Sequence, residues 1–146
     1  MKAIACFLFG TCTGVIDECP GLRVADAWVR EAPPKTEVLA AYMTLVNEAD
    51  APLVLTSVAS PVFRRAEFHR MWFEGDNMRM EQMDALTVPA KESLALEPGG
   101  THVMLFGPEE RPRAGDVISI RLQCGNGKAF VDATVRRVGV AGGQDQ

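Results

Sequence analysis

Residues 65–83 read RAEFHRMWFEGDNMRMEQM. Two short runs, residues 65–73 and 78–83, flank the turn formers Glu74-Gly75-Asp76-Asn77. Neither run shows a 3.6-residue apolar period, so the stretch predicts a β-hairpin rather than a helix. Taking Glu74 to Asn77 as a four-residue loop fixes the register. Phe73 pairs with Met78, Met71 with Met80, Arg70 with Glu81 and His69 with Gln82. Side chains alternate across a strand. His69, Met71, Phe73, Met78 and Met80 therefore share one face, and Arg70, Trp72, Arg79 and Glu81 share the other, where Arg70 can pair with Glu81.

The rest of the chain reads the same way. Residues 22–30, 38–47, 53–59, 93–96, 101–106, 117–123 and 128–137 are further candidate strands. Between them lie Ala32-Pro33-Pro34, Asn47-Glu48-Ala49-Asp50, Ser60-Pro61, Glu97-Pro98-Gly99-Gly100, Ala114-Gly115-Asp116 and Gly125-Asn126-Gly127. Nine short strands at this spacing predict an all-β sandwich or barrel. No internal repeat and no second domain is visible.

The chain has 146 residues, enough to bury one core without help from metal or cross-links. Hydrophobic residues are 47%, charged residues 23% and the formal charge is −4. That composition argues against disorder and coiled coil, and the absence of a basic stripe disfavours a nucleic-acid partner. At the N-terminus Lys2 precedes an apolar run from Ala3 to Gly10 and the small residues Thr11 to Gly14. Residues 1–14 thus read as a secretory signal peptide, with cleavage after Gly14 the best-fitting position. Cys12 and Cys19 follow Phe9-Gly10-Thr11 and Ile16-Asp17-Glu18, poor lipidation signals, so a lipid anchor is disfavoured. Nothing later in the chain is long and apolar enough to span a bilayer. Residues 15–138 are the folded domain, and the Gly-rich, polar residues 139–146 a frayed tail. In an oxidising compartment the remaining Cys19 and Cys124 are predicted to form a disulfide, with two free thiols or a thiolate metal site as the alternatives.

The chain's two histidines both stand two residues before a methionine, in His69-Arg70-Met71 and His102-Val103-Met104, although methionine supplies only seven residues. Strand alternation puts each pair on one face. Thioethers are soft donors that favour Cu(I), and imidazole adds a stronger borderline donor. With no carboxylate expected between them on that face, Ca²⁺ and Mg²⁺ are poorly served, and Zn²⁺ prefers thiolate or more imidazole.

Ten residues separate His69 from Met80, twenty-one separate Met80 from His102, and one separates His102 from Met104. This His-x10-Met-x21-His-x-Met spacing resembles the signature of the periplasmic copper chaperones called PCu(A)C. Neighbouring residues are similar too: Asp26-Ala27-Trp28-Val29-Arg30, Ala41-Tyr42-Met43-Thr44-Leu45, Met78-Arg79-Met80 and Pro98-Gly99-Gly100-Thr101-His102-Val103-Met104-Leu105. The likeness runs from about residue 22 to 138. It implies a cupredoxin-like or immunoglobulin-like Greek-key β-sandwich of about eight to nine strands. It implies one Cu(I) held by His69, Met80, His102 and Met104. Met71, opposite Met80 in the hairpin register, reads first as a wall of that site and second as an auxiliary ligand. The likeness further implies a periplasmic role in assembling the copper centre of cytochrome c oxidase, with subunit II or a Sco-type thioredoxin-like protein as acceptor. The sequence departs from common members in Cys19 and Cys124 and in lacking a His/Met-rich C-terminal tail.

Other readings fit less well. No G-x-S-x-G elbow or phosphate-binding loop occurs, and two His-x-Met pairs do not make a catalytic zinc site, so the chain does not read as an enzyme. A blue-copper carrier would need a thiolate, and no His or Met follows Cys124. Met43, Met78 and Met83 read as packing residues, and Trp28 and Tyr42 as core aromatics. The alternatives are an extracytoplasmic immunoglobulin-like interaction module, in which the methionines are only core, and a copper storage or buffering protein.

Overall fold

In residues 117–124, Ile118, Ile120 and Leu122 alternate with Val117, Ser119 and Arg121, and the first set is buried while the second is not. The same alternation, repeated along the chain, builds the molecule. The structure is a computed structural model that describes residues 19–138. The expected signal peptide at 1–14 and tail at 139–146 lie outside the described residues.

Eleven strands follow in order: β1 (Leu22–Arg30), β2 (Val38–Asn47), β3 (Leu53–Leu55), β4 (Ser57–Ala59), β5 (Phe63–Glu74), β6 (Asn77–Met83), β7 (Leu86–Val88), β8 (Ser93–Leu96), β9 (His102–Pro108), β10 (Val117–Cys124) and β11 (Gly127–Arg136). Nine form one mixed sheet in the order β4-β10-β11-β1-β2-β9-β5-β6, with β8 also on β2, and β3 pairs with β7 in a separate ribbon. The fold is the expected all-β sandwich, with more strands than the expected eight or nine. Residues 53–59 divide at Thr56 into two strands that join different sheets, and residues 86–88 add a short strand. Among the described residues no helix is long and apolar enough to cross a membrane.

The sheet folds over so that its two halves share one core. Leu39, Ala41, Met43 and Leu45 of β2, Phe68 of β5, and Val103 and Leu105 of β9 meet Ile118, Ile120, Leu122, Val131 and Val135 of β10 and β11. Met43, expected in the core, is 2% exposed. Burial of this kind contributes roughly 25 cal/mol per Å² of apolar surface.

The β5–β6 hairpin has the predicted register, from His69 opposite Gln82 to Phe73 opposite Met78. Its loop is tighter than expected. Glu74 pairs with Asn77, leaving a two-residue turn of Gly75 and Asp76 in which Gly75 takes φ 65°. Glycine reaches that conformation without a Cβ clash.

A bulge between Ala25 and Trp28, where Asp26 takes φ 53°, inserts one residue into β1 and brings Trp28 opposite Tyr42 on β2. Cys19 and Cys124 form the predicted disulfide, with Cα atoms 5.9 Å apart, and tie the segment before β1 to the end of β10.

Candidate metal centre

The site is built by three neighbouring strands, β9, β5 and β6. His69 on β5 lies directly opposite His102 on β9, and Glu67 lies opposite Met104. On the other side of β5, Met71 lies opposite Met80 of β6. The intervening residues Phe68, Val103 and Leu105 point into the core, so this set faces outward. All four predicted donors therefore share the outer face. The imidazole rings stand face to face, with centroids 6.1 Å apart and planes 22° from parallel. Met80 and Met104 occupy diagonal positions on opposite sides of His69. Diagonal neighbours are about 7–8 Å apart at Cα, a span a flexible thioether side chain can bridge.

Each ring has one nitrogen committed to the protein. His102 Nδ1 is 2.8 Å from the Gly100 carbonyl oxygen. A carbonyl only accepts, so Nδ1–H donates and the lone pair resides on Nε2. His69 Nε2 is 2.8 Å from Glu67 Oε1. The carboxylate accepts this bond, so the lone pair resides on Nδ1. That Nδ1 is buried and has no hydrogen-bond partner. Buried polar atoms are almost always paired, and a lone-pair nitrogen left bare beside a second imidazole is what a metal ion would satisfy. The donor set thus fits a soft monovalent ion.

Electrostatics favour the neutral, ligand form of His102. Burial holds His102 below the ordinary imidazole range; the bond to Gly100 opposes this, and His69 reinforces it. Glu67 is held below the usual carboxylate range, first by its hydrogen bond with His69 and then by Arg65 at 2.6 Å, against the cost of burial.

Glu67 corrects the expectation that no carboxylate lies on this face. It stands two residues before His69, so alternation alone would have found it. The Gly100 carbonyl left no signal in the sequence. Tyr42 is buried as expected, at 7% exposed, but it and the half-buried Trp28 pack on the outer side of β2 rather than in the inter-sheet cluster. Tyr42 lies between the core residues Ala41 and Met43 and must point the other way. Its ring is 6.3 Å from His102 and 4.8 Å from Trp28, which walls one side of the site. Phe106, capped by the Arg65 guanidinium at 4.0 Å, stands 6.4 Å from His69 on another side. Trp72 falls on the opposite face of the hairpin under Arg70, as the register requires. Met83 packs against the core as expected, but Met78 does not: it is 53% exposed.

Among the described residues no three His, Cys, Asp or Glu side chains converge on one point. A cleft of about 570 Å³ between β1 and β11 contains neither His nor Met; the donors lie elsewhere, with His102 buried and Met80 43% exposed.

A family model described as "Putative lipoprotein LpqE-like" matches residues 22–135. "Putative lipoprotein Lxx21020" of Leifsonia xyli subsp. xyli (strain CTCB07) is 27% identical over 111 residues, which make up 75% of this chain and 66% of that protein. The chain therefore spans just under two thirds of that relative's length. Among solved structures, the copper-bound PCuAC domain from PmoF2 has a TM-score of 0.69 at 26% identity, covering 82% of this chain and 95% of that one. The CuI-DR1885 solution structure from Deinococcus radiodurans has a TM-score of 0.63 at 32% identity, covering 80% and 78%. Its apo form has a TM-score of 0.64 at 29% identity, covering 94% and 93%.

Proposed function

The chain belongs to the LpqE-like family, and from that premise we propose that it is an extracytoplasmic copper-binding protein that carries one Cu(I) to a protein acceptor. The observation that carries this reading is the opposed pair His69 and His102, whose lone-pair nitrogens are fixed by Glu67 and Gly100, with Nδ1 of His69 buried and unpaired. Met80 and Met104 complete the ligand set, and Met71, opposite Met80, is available as an auxiliary donor. The neighbours named for bound copper and for CuI support the choice of metal.

Two neutral imidazoles and two neutral thioethers leave Cu(I) its single positive charge, and the set holds no thiolate to oxidise. Because Met80 is 43% exposed, an acceptor's ligands can join on that side before the carrier's leave. Delivery is then ligand exchange between proteins rather than release of free ion. The copper centre of cytochrome c oxidase, reached directly or through a Sco-type protein, is the acceptor this reading favours. The lipoprotein names of the family and the Leifsonia relative support an extracytoplasmic location. Cys19 is committed to its disulfide, so a lipid anchor on this chain would fall to Cys12.

Anaerobic Cu(I) titration against a chromophoric chelator tests the reading. The protein should take up one tightly held equivalent. His102→Ala or Met104→Ala should weaken it at least about a hundredfold, more than outer-sphere changes cost, without loss of the fold. Unchanged affinity in both variants would refute the site.

A further inference from the structure

The hairpin beyond the two histidines has an exposed apolar surface that the core does not explain. Among the described residues β6 pairs only with β5, and Met78 and Met80 are 53% and 43% exposed. Exposed apolar side chains on an edge strand invite non-specific pairing and are ordinarily replaced by charge. The opposite face of this hairpin obeys that rule, with Arg70–Glu81 at 3.2 Å and Arg79–Glu74 at 3.1 Å. The charges are thereby kept away from the thioethers.

The register groups three sulfurs. Met71 lies directly opposite Met80, and Met78 is the next residue of β6 on the same face, diagonal to Met71. Opposed residues have Cβ atoms about 4.5–5.5 Å apart, and flexible thioethers at such spacing can converge on one ion. No carboxylate or imidazole lies among these three positions. Three neutral soft donors suit Cu(I) or Ag(I) and give little to Cu(II), Zn²⁺ or hard cations.

We infer that Met71, Met78 and Met80 form a second, all-thioether Cu(I) site at the exposed end of the hairpin, a landing position from which the ion passes inward to His69 and His102. This rests on the copper reading above and adds a station to it. The donors run in order along β5 and its partners: Met78 at the tip, Met71 with Met80, His69 with His102, then Met104. Met80 is common to both sites. In the inward step the bonds from Met71 and Met78 sulfur break as bonds to His69 Nδ1, His102 Nε2 and Met104 sulfur form. Copper remains Cu(I), no electron or proton moves, and the complex keeps its charge.

The test uses the full chain with ¹³C-methyl methionine and silver(I) as the probe. In a His69→Ala/His102→Ala variant, Ag(I) should shift the methyl signals of Met71, Met78 and Met80 together, saturating at one equivalent. Adding Met78→Leu should abolish the joint shift. No shift, or one that survives Met78→Leu, would overturn the outer site. In the otherwise native protein, Met78→Leu should leave the tight Cu(I) affinity unchanged and slow copper uptake from a chelator several-fold. Unchanged uptake would overturn the landing role, and a loss of affinity matching that of His102→Ala would place Met78 in the inner site and overturn the two-site scheme. The copper reading fails separately, if the native protein binds no Cu(I) tightly.

Discussion

At the scale of single residues, metal binding depends on which nitrogen of each ring is left for a ligand. A His–Met pairing says nothing about tautomers; a carboxylate and a backbone carbonyl decide them. Glu67 holds His69 by Nε2, which fixes the orientation of the ring and the nitrogen left for a ligand. Glu67→Gln keeps an acceptor but removes the charge, and should lower Cu(I) affinity roughly tenfold, whereas Glu67→Ala should cost up to about a hundredfold. Competition titration measures both, and Glu67→Ala binding as tightly as the native protein would exclude the positioning role. That Glu67 shares the donor face was legible in its spacing from His69. That Gly100 fixes His102 was not, because a backbone acceptor carries no side-chain mark.

At the scale of elements, legibility followed how strictly the sequence alternates. The β5–β6 hairpin could be registered because a short turn and a mixed polar–apolar pattern leave one consistent pairing. Residues 38–47, in contrast, are apolar on both faces, so Tyr42 could not be assigned a side. Only the observed pairing shows that the outer face of β2 is covered by the Trp28–Tyr42 stack. Thr56 is neither Gly nor Pro, and the division of 53–59 there left no turn signal. The turn after β2 read correctly as a turn but conceals a structural anchor. Asn47 is fully buried, donates from Nδ2 to the carbonyls of Ala51, Val88 and Pro89, and accepts the amide of Ala49. It joins the end of β2 to β7. Asn47→Ala would strand several of these groups and should destabilise the fold by about 1–3 kcal/mol, read from the urea midpoint. A change under a few tenths would show that water replaces the side chain at little cost.

At the scale of the whole molecule, the strand order separates two tasks. β9, β5 and β6 present the donors, while the disulfide joins the segment before β1 to the end of β10. Linking residues 105 apart restricts the unfolded chain, a contribution of about 2–5 kcal/mol. Replacing Cys19 and Cys124 together by serine should lower stability by that amount and leave Cu(I) affinity unchanged. A loss of copper binding in the folded variant would show that the two halves are coupled.

In the proposed copper complex, His69 and His102 hold the metal through different nitrogens. Long-range ¹H–¹⁵N correlation spectra of the protein, recorded before and after one equivalent of Cu(I) or Ag(I), test it most directly. Nδ1 of His69 and Nε2 of His102 should lose their unprotonated lone-pair shifts, while Nε2 of His69 and Nδ1 of His102 stay protonated. Metal-induced shifts on the opposite nitrogens, or on neither ring, would contradict the account.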